Sequence, residues 1–226
     1  MRNSHYEQWL NASHQVNIAF GSISLAGELS LSAKAAGVVL FAQVGGSSRL
    51  NQLMARAIRE AGVGVLLFDL LPPAEEVIDR QTRHLRFDVP LLARRLTEAT
   101  DWVKGLPETG SLRIGYLGTG VVAAAALIAA AEFGTAVNAV VSRGGRPDLA
   151  NEALPRVFAP TLLIAGGLDD VILHLNQEAL ARLHCVKEFK IIPDATHLFE
   201  EPGKSEEVAL LTAAWFQKYL AAELFV

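Results

Sequence analysis

Three stretches of the 226-residue chain carry side chains whose types and order suit nucleophilic acyl chemistry, with one omission. The segment RIGYLGTGVVAAAALIAAAEF (113–133) reads as a strand that turns through glycines into an alanine-rich helix. LLIAGGLDDVILHLN places Asp169 just after a buried strand, and IIPDATHLFEEPG places His197 in the loop after the last strand. In a nucleophile–acid–histidine site, the histidine takes a proton from a serine or cysteine held on a sharp strand-to-helix turn, and the acid orients the histidine. The order here is turn, acid, histidine, each at a strand's carboxyl end. Yet the turn reads Gly118-Thr119-Gly120-Val121-Val122 and offers neither serine nor cysteine. Asp169 could alternatively cap the helix that follows it, and His197 could be an ordinary surface residue.

The same turn admits a second reading. Gly115-x-x-Gly118-x-Gly120 could bring backbone N–H groups to a phosphate at a helix N-terminus. The turn lies mid-chain, however, after at least three strands, and the next strand ends VVSRGG with no acidic residue to hold a ribose hydroxyl. Ser142 and Arg143 could meet a 2′-phosphate, so an NAD(P)-binding protein stands third among the readings.

Other groups could serve a site on the same rim. Arg143 and Arg146 follow a strand in SRGGRPD, and Arg86 lies in RQTRHLRFD with Arg83 and His84. With Ser142, these could hold a small anionic ligand. For Arg143 and Arg146, salt bridges to Asp148 or Asp79 are the structural alternative. Thr119, Ser47, Ser48 and Ser142 are minor nucleophile candidates: Thr119 adjoins the elbow but projects differently from its apex, and the three serines are better explained as turn-forming hydroxyls. Cys185 suits a small apolar packing role. The six histidines show no metal-ligand spacing, so neither metal nor cofactor is expected.

The elements that must position these residues alternate. Residues 16–31 read as one or two antiparallel edge strands, and 37–43 as a strand buried on both faces. A helix is expected over 50–62, then a strand through VGVLLFDLL. Residues 70–86 read as the longest irregular loop. Asp88 caps a helix running to about Gly105, with Pro90 in its first turn. Strands and helices then alternate to a final helix over 206–220. Such alternation implies a mostly parallel sheet with helices on both faces. Residues 1–15 read as a polar N-terminal extension, and 16–226 as a single domain.

Composition is 51% hydrophobic and 19% charged, which suits a well-buried domain rather than a disordered chain. The net charge of −4 gives no reason to expect nucleic acid or an anionic membrane as partner. One cysteine excludes an intramolecular disulfide and fits a reducing compartment. No signal-peptide pattern and no run long enough to span a bilayer is visible, so a cytoplasmic location is expected.

Several stretches together carry a resemblance: GVVLFA, GSSR, LLFDLL, RHLRFDVPLLARRL, AAAALIAAA, AVVSRGGRPDLA, APTLLIAGGLD, LHLNQEAL and ATHLFEEPG. They cover residues 21–220. The chain resembles the dienelactone-hydrolase-like branch of the α/β-hydrolases, and within it a bacterial group of uncharacterised hydrolases, some fused to phosphoribosyltransferase domains. The resemblance implies an α/β-hydrolase fold with little or no cap, ester or lactone hydrolysis by descent, and Asp169 and His197 as partners of a nucleophile. That group's turn reads like G-A-S-T-G. Aligned back from the alanine run, its serine falls on Gly120 and its last glycine on Val122. A glycine suits the strained backbone of such an elbow, whereas Val122 implies a slightly remodelled turn.

The group's first glycine loop reads like H-G-S-G-S-S-R, with a short H-S-P before the helix. Here Gln43 replaces the histidine, Val44 replaces the glycine, and the H-S-P segment is missing. The backbone N–H groups of Val44 and Val121 are the implied oxyanion donors, with the Val44 side chain narrowing the hole. A site lacking the nucleophile oxygen cannot form an acyl-enzyme. The Asp–His pair could still act as general base on a water, or the pocket could bind a small anionic molecule or a partner without turnover.

Overall fold

The computed structural model describes residues 13–32 and 35–221. The expected N-terminal extension lies largely outside these residues, although strand β1 already begins at Ser13. An eight-stranded sheet runs in the order β1-β2-β4-β3-β5-β6-β7-β8. Its strands are β1 (Ser13–Phe20), β2 (Ile23–Ser30), β3 (Gly37–Gln43), β4 (Gly64–Asp69), β5 (Arg113–Thr119), β6 (Val137–Arg143), β7 (Thr161–Gly166) and β8 (Lys187–Ile192). The β1–β2 hairpin joins β4 antiparallel, and every pair from β4 to β8 is parallel. This is the α/β-hydrolase arrangement the sequence led one to expect.

Among the described residues six helices cover the sheet: α1 (Arg49–Glu60), α2 (Pro73–Thr82), α3 (Val89–Gly105), α4 (Val122–Phe133), α5 (Asp170–Arg182) and α6 (Lys204–Leu220). Side chains alternate across each strand, so consecutive residues feed two separate cores. Val38, Leu40, Tyr116 and Val140 pack with α3, α4 and α5. Val39, Phe41, Leu117 and Val141 pack with α1 and α6. Both faces are therefore dry, which is why β3 to β7 read as continuous apolar runs.

Two of the three glycines of the supposed phosphate fingerprint are accounted for by packing. A Cβ on Gly115 would stand 2.7 Å from Leu220 of α6, and one on Gly118 would stand 2.7 Å from the Ala123 backbone of α4. They let helices approach the sheet closely, and the nucleotide reading loses its main support.

One expectation fails. Residues 70–86 are not an irregular loop, because α2 and a 3-10 turn at Leu85–Phe87 occupy much of them. Helix α2 exposes Val77 and Ile78 and buries Asp79, so hydrophobic periodicity could not reveal it. Beyond α2, the largest addition to a crossover is a 3-10 run at Pro147–Arg156, broken at Asn151. The cap is accordingly small.

Candidate active site

Strand β5 ends at Thr119, and Gly120 makes the turn into α4 at a φ of +53°. That left-handed backbone is what a nucleophile elbow demands, and glycine adopts it at least cost. A Cβ built on Gly120 would have no atom within 4 Å, so the space ahead of it is open. Helix α4 begins without a side-chain cap and without an acidic residue in its first turn. The Ala123 N–H donates to the Gly120 carbonyl at 3.3 Å and the Ala124 N–H to the Val121 carbonyl at 3.0 Å, and the N–H groups of Val121 and Val122 lie ahead of these at the head of the turn. The Gly120 carbonyl accepts the Arg146 N–H at 2.9 Å, which ties the elbow to the loop after β6.

Asp169 and His197 meet at the same rim. His197 Nδ1 lies 3.2 Å from Asp169 Oδ2. The other carboxylate oxygen accepts the Ile172 N–H at 3.2 Å and caps α5. Capping and orienting the histidine, posed by the sequence as alternatives, are thus done at once by two oxygens of one residue. The loops carrying the pair are joined where the Leu168 N–H donates to the Ala195 carbonyl at 2.9 Å. Gly166 has no room for a side chain, since a Cβ would press on the Ala195 and Thr196 carbonyls. The histidine loop is fixed by Glu201, which accepts the Thr196 N–H at 2.9 Å, and by buried Phe199. The imidazole rests on Gly144, whose φ is +51°.

The first glycine loop has changed its commitments. Gln43, in the place of the resembled group's histidine, is buried and donates to Asp69 at 3.5 Å. Its carbonyl accepts the Asn51 amide at 3.0 Å, and Asn51 Oδ1 in turn accepts Arg143 at 3.4 Å. Asp69 also accepts the Gly46 N–H at 3.1 Å. Val44 is half-buried at the head of this loop, and Gly45 and Gly46 both have positive φ. Burial pushes the carboxyl of Asp69 up, against the pull of these hydrogen bonds. Glu76 is raised by burial and by the neighbouring Asp69 charge.

The four residues expected to hold an anion have different fates. Arg86 is held by Asp79 at 2.5 Å, and Arg146 is engaged in two hydrogen bonds with Asp148 at 2.9 and 2.8 Å. The salt-bridge alternative therefore describes Arg146, and a salt bridge the sequence did not foresee takes up Arg86. Ser142 is fully buried, packed against Gly145 and Ala123, and does not reach the rim. Among the described residues, Arg143 alone of these three arginines meets no carboxylate. Its guanidinium lies 5.9 Å from the Phe199 ring centroid, and burial pushes it down to about 10.

Two of the minor nucleophile candidates are engaged in their own loop. Ser48 caps α1 through the Asn51 N–H, and Ser47 accepts Gln52. Cys185 sits by Thr161, at the opposite edge of the sheet where β7 begins. Sequence reasoning missed Gly144, Phe199, Asn51 and Asp69. Only Phe199, an apolar residue amid the polar loop THLFEEPG, left any signal. Among the described residues, no three His, Cys, Asp or Glu side chains gather as metal ligands, and no helix is long and apolar enough to cross a membrane.

A strained elbow after the central strand, an acid after β7 and a histidine after β8 define an α/β-hydrolase scaffold. The dienelactone hydrolase family model matches residues 25–221, and the chain belongs to that family. A dienelactone hydrolase from Anabaena variabilis superposes with a TM-score of 0.90 at 50% identity, covering 92% of this chain and 98% of that one. A dienelactone hydrolase-like promiscuous phosphotriesterase from metagenomic libraries shares the fold at a TM-score of 0.73 and 18% identity, over 93% of this chain and 99% of that one. A provisionally assigned phosphoribosyl transferase of Mycobacterium tuberculosis H37Rv is 47% identical over 209 residues, 91% of this chain. The chain spans 46% of the length of that relative.

Proposed function

We propose that this protein is a dienelactone-hydrolase-like scaffold that keeps the acid and histidine of an ester- or lactone-hydrolysing site but has given up the covalent route. The observation that carries this reading is the Asp169–His197 contact of 3.2 Å on the rim of an elbow whose apex is Gly120. With no oxygen or sulfur at the apex, the imidazole has no nucleophile to deprotonate and no acyl-enzyme can form. What the pair can still do is take a proton from water occupying the open space before Gly120. A water held by one imidazole lacks the positioning of an elbow serine, so such hydrolysis is slow.

A second reading, a pocket that holds a small anionic ligand without turning it over, is favoured by one observation: the Arg143 guanidinium lacks a carboxylate partner.

The test is hydrolysis of short activated esters by the parent protein beside His197→Ala and Gly120→Ser. The expected result is a parent at or near background and a Gly120→Ser variant that gains at least about a hundredfold, the usual scale for general acid–base assistance. Rapid turnover by the parent would overturn the reading, whether His197→Ala abolishes it or not.

A further inference from the structure

We infer that Arg143 is a built-in receptor for the oxyanion of a small ligand, carboxylate or phosphate, bound between the glycine elbow and the histidine loop. The inference rests on reading this rim as a small-molecule site, but it does not require turnover.

Two largely buried arginines in this chain are treated differently. Arg95 is held in a bidentate fork by Glu75 at 2.6 and 2.7 Å and also donates to the Leu70 carbonyl at 2.8 Å. That is how a structural guanidinium is satisfied, because a buried charge is costly unless paired. Arg143 has no such set. Its Nε is sealed from solvent without an acceptor, and its one hydrogen bond is the long one to the neutral Asn51 amide.

The polar chain behind Arg143 explains how it is held without being neutralised. Asp69 orients Gln43, Gln43 engages the Asn51 N–H₂, and the Asn51 oxygen is left facing the guanidinium. The negative charge of Asp69 therefore reaches Arg143 only through two neutral amides. A carboxylate in direct contact would compete with a ligand, whereas an amide dipole fixes the fork and leaves its charge available.

Placement joins this cation to the site. Arg143 ends β6 in register with Thr119, which ends β5 one residue before Gly120. The next residue, Gly144, lies under the His197 ring. The guanidinium faces Phe199, two residues beyond His197. Arg86 and Arg146 are already neutralised by Asp79 and Asp148, so of these three arginines Arg143 is the one whose fork is left for an incoming oxyanion.

The experiment is thermal unfolding of the purified chain with acetate, propionate or inorganic phosphate, against chloride at matched ionic strength. It is repeated on Arg143→Met and Arg143→Lys. Saturable stabilisation of the parent is expected, a Tm rise of about 3 °C or more at tenfold the dissociation constant. Arg143→Met should lose the rise and, with no anion present, melt no lower than the parent. Arg143→Lys, which keeps the charge but not the fork, should need about tenfold more anion, as expected where a bidentate contact becomes a point charge. Whether the carboxylates or phosphate act at the lower concentration identifies the oxyanion. The inference is overturned if neither stabilises the parent beyond chloride, if the rise persists in Arg143→Met, or if Arg143→Met and Arg143→Lys both melt far below the parent, which would make the guanidinium structural. Ester hydrolysis is not read out, so failure here leaves the fate of the Asp169–His197 pair to its own test.

Discussion

Gly144 forms the floor under His197: a Cβ built on it would stand 3.3 Å from the imidazole Cε1 and 3.4 Å from Nδ1, the atom that faces Asp169. The histidine is therefore oriented from two sides, by a carboxylate and by the absence of a side chain. Gly144→Ala should strain the backbone, since φ is +51° there, costing about 1–3 kcal/mol. It should also push the ring away from Asp169. Placed on top of Gly120→Ser, it should remove most of the hydrolysis gained by that change while the protein stays folded. Thermal melts and ester hydrolysis on the double variant check this, and full retention of the gained activity would show that the ring does not depend on its floor.

Gly120→Ser should react where the parent does not. The elbow has room for the side chain, and a serine at φ +53° costs about 1 kcal/mol, within the tolerance of a stable domain. An organophosphorus reagent that labels activated serines should add one covalent mass to Gly120→Ser and none to the parent. Addition His197→Ala to the variant should abolish the labelling. Labelling of the parent at any serine would mean that a nucleophile sits elsewhere.

Much of this was legible because it depends on local pattern. Doubly buried strands announce themselves as apolar runs, and Asp169 stands out by following one of them, whereas His197 stands out by its place in a loop after the exposed edge strand β8. The glycine at position 120 could be placed only through the resemblance, since no spacing rule says which glycine of Gly118-Thr119-Gly120 is the apex. What stayed hidden is long-range. Whether an arginine is free depends on where carboxylates fall in space, so Arg86, Arg143 and Arg146 were indistinguishable in sequence. Helix α2 was hidden by its inverted pattern, an aspartate inside and two aliphatics outside.

Arg95 gives the structural counterpart to Arg143. Its pairing with Glu75 joins α3 to the start of α2 in a nearly dry setting. Removing one partner of a buried pair strands the other charge. Glu75→Ala should therefore cost about 3 kcal/mol, reduced from the upper range because the carboxylate keeps some exposure. That corresponds to a Tm fall of roughly 6–12 °C for a chain of this length. Chemical denaturation with both variants should rank Glu75→Ala well below Arg143→Met. The reverse order would mean that the free cation is the structural one.

Two aspartates should answer acid in opposite senses. Burial alone would raise Asp79, but the N–H groups of Leu85 and Arg86 and the Arg86 guanidinium outweigh it and hold the carboxyl below its usual range. A folded pKa below the unfolded one contributes stability that is present above the ordinary carboxylate value and lost as pH falls through the lowered one. Asp69 is raised, chiefly by burial, so it takes its proton in the folded state before the unfolded chain does. Its contribution is fullest below the ordinary value and declines as pH rises through the raised one. The Tm deficit of Asp79→Asn should then be widest at neutral pH and narrow on acidification below about pH 4. Asp69→Asn should do the opposite, gaining on the parent as the medium goes from acid to neutral. Melts of the three proteins from acid to neutral pH check both signs. Parallel curves would mean that neither carboxyl titrates differently in the folded and unfolded states.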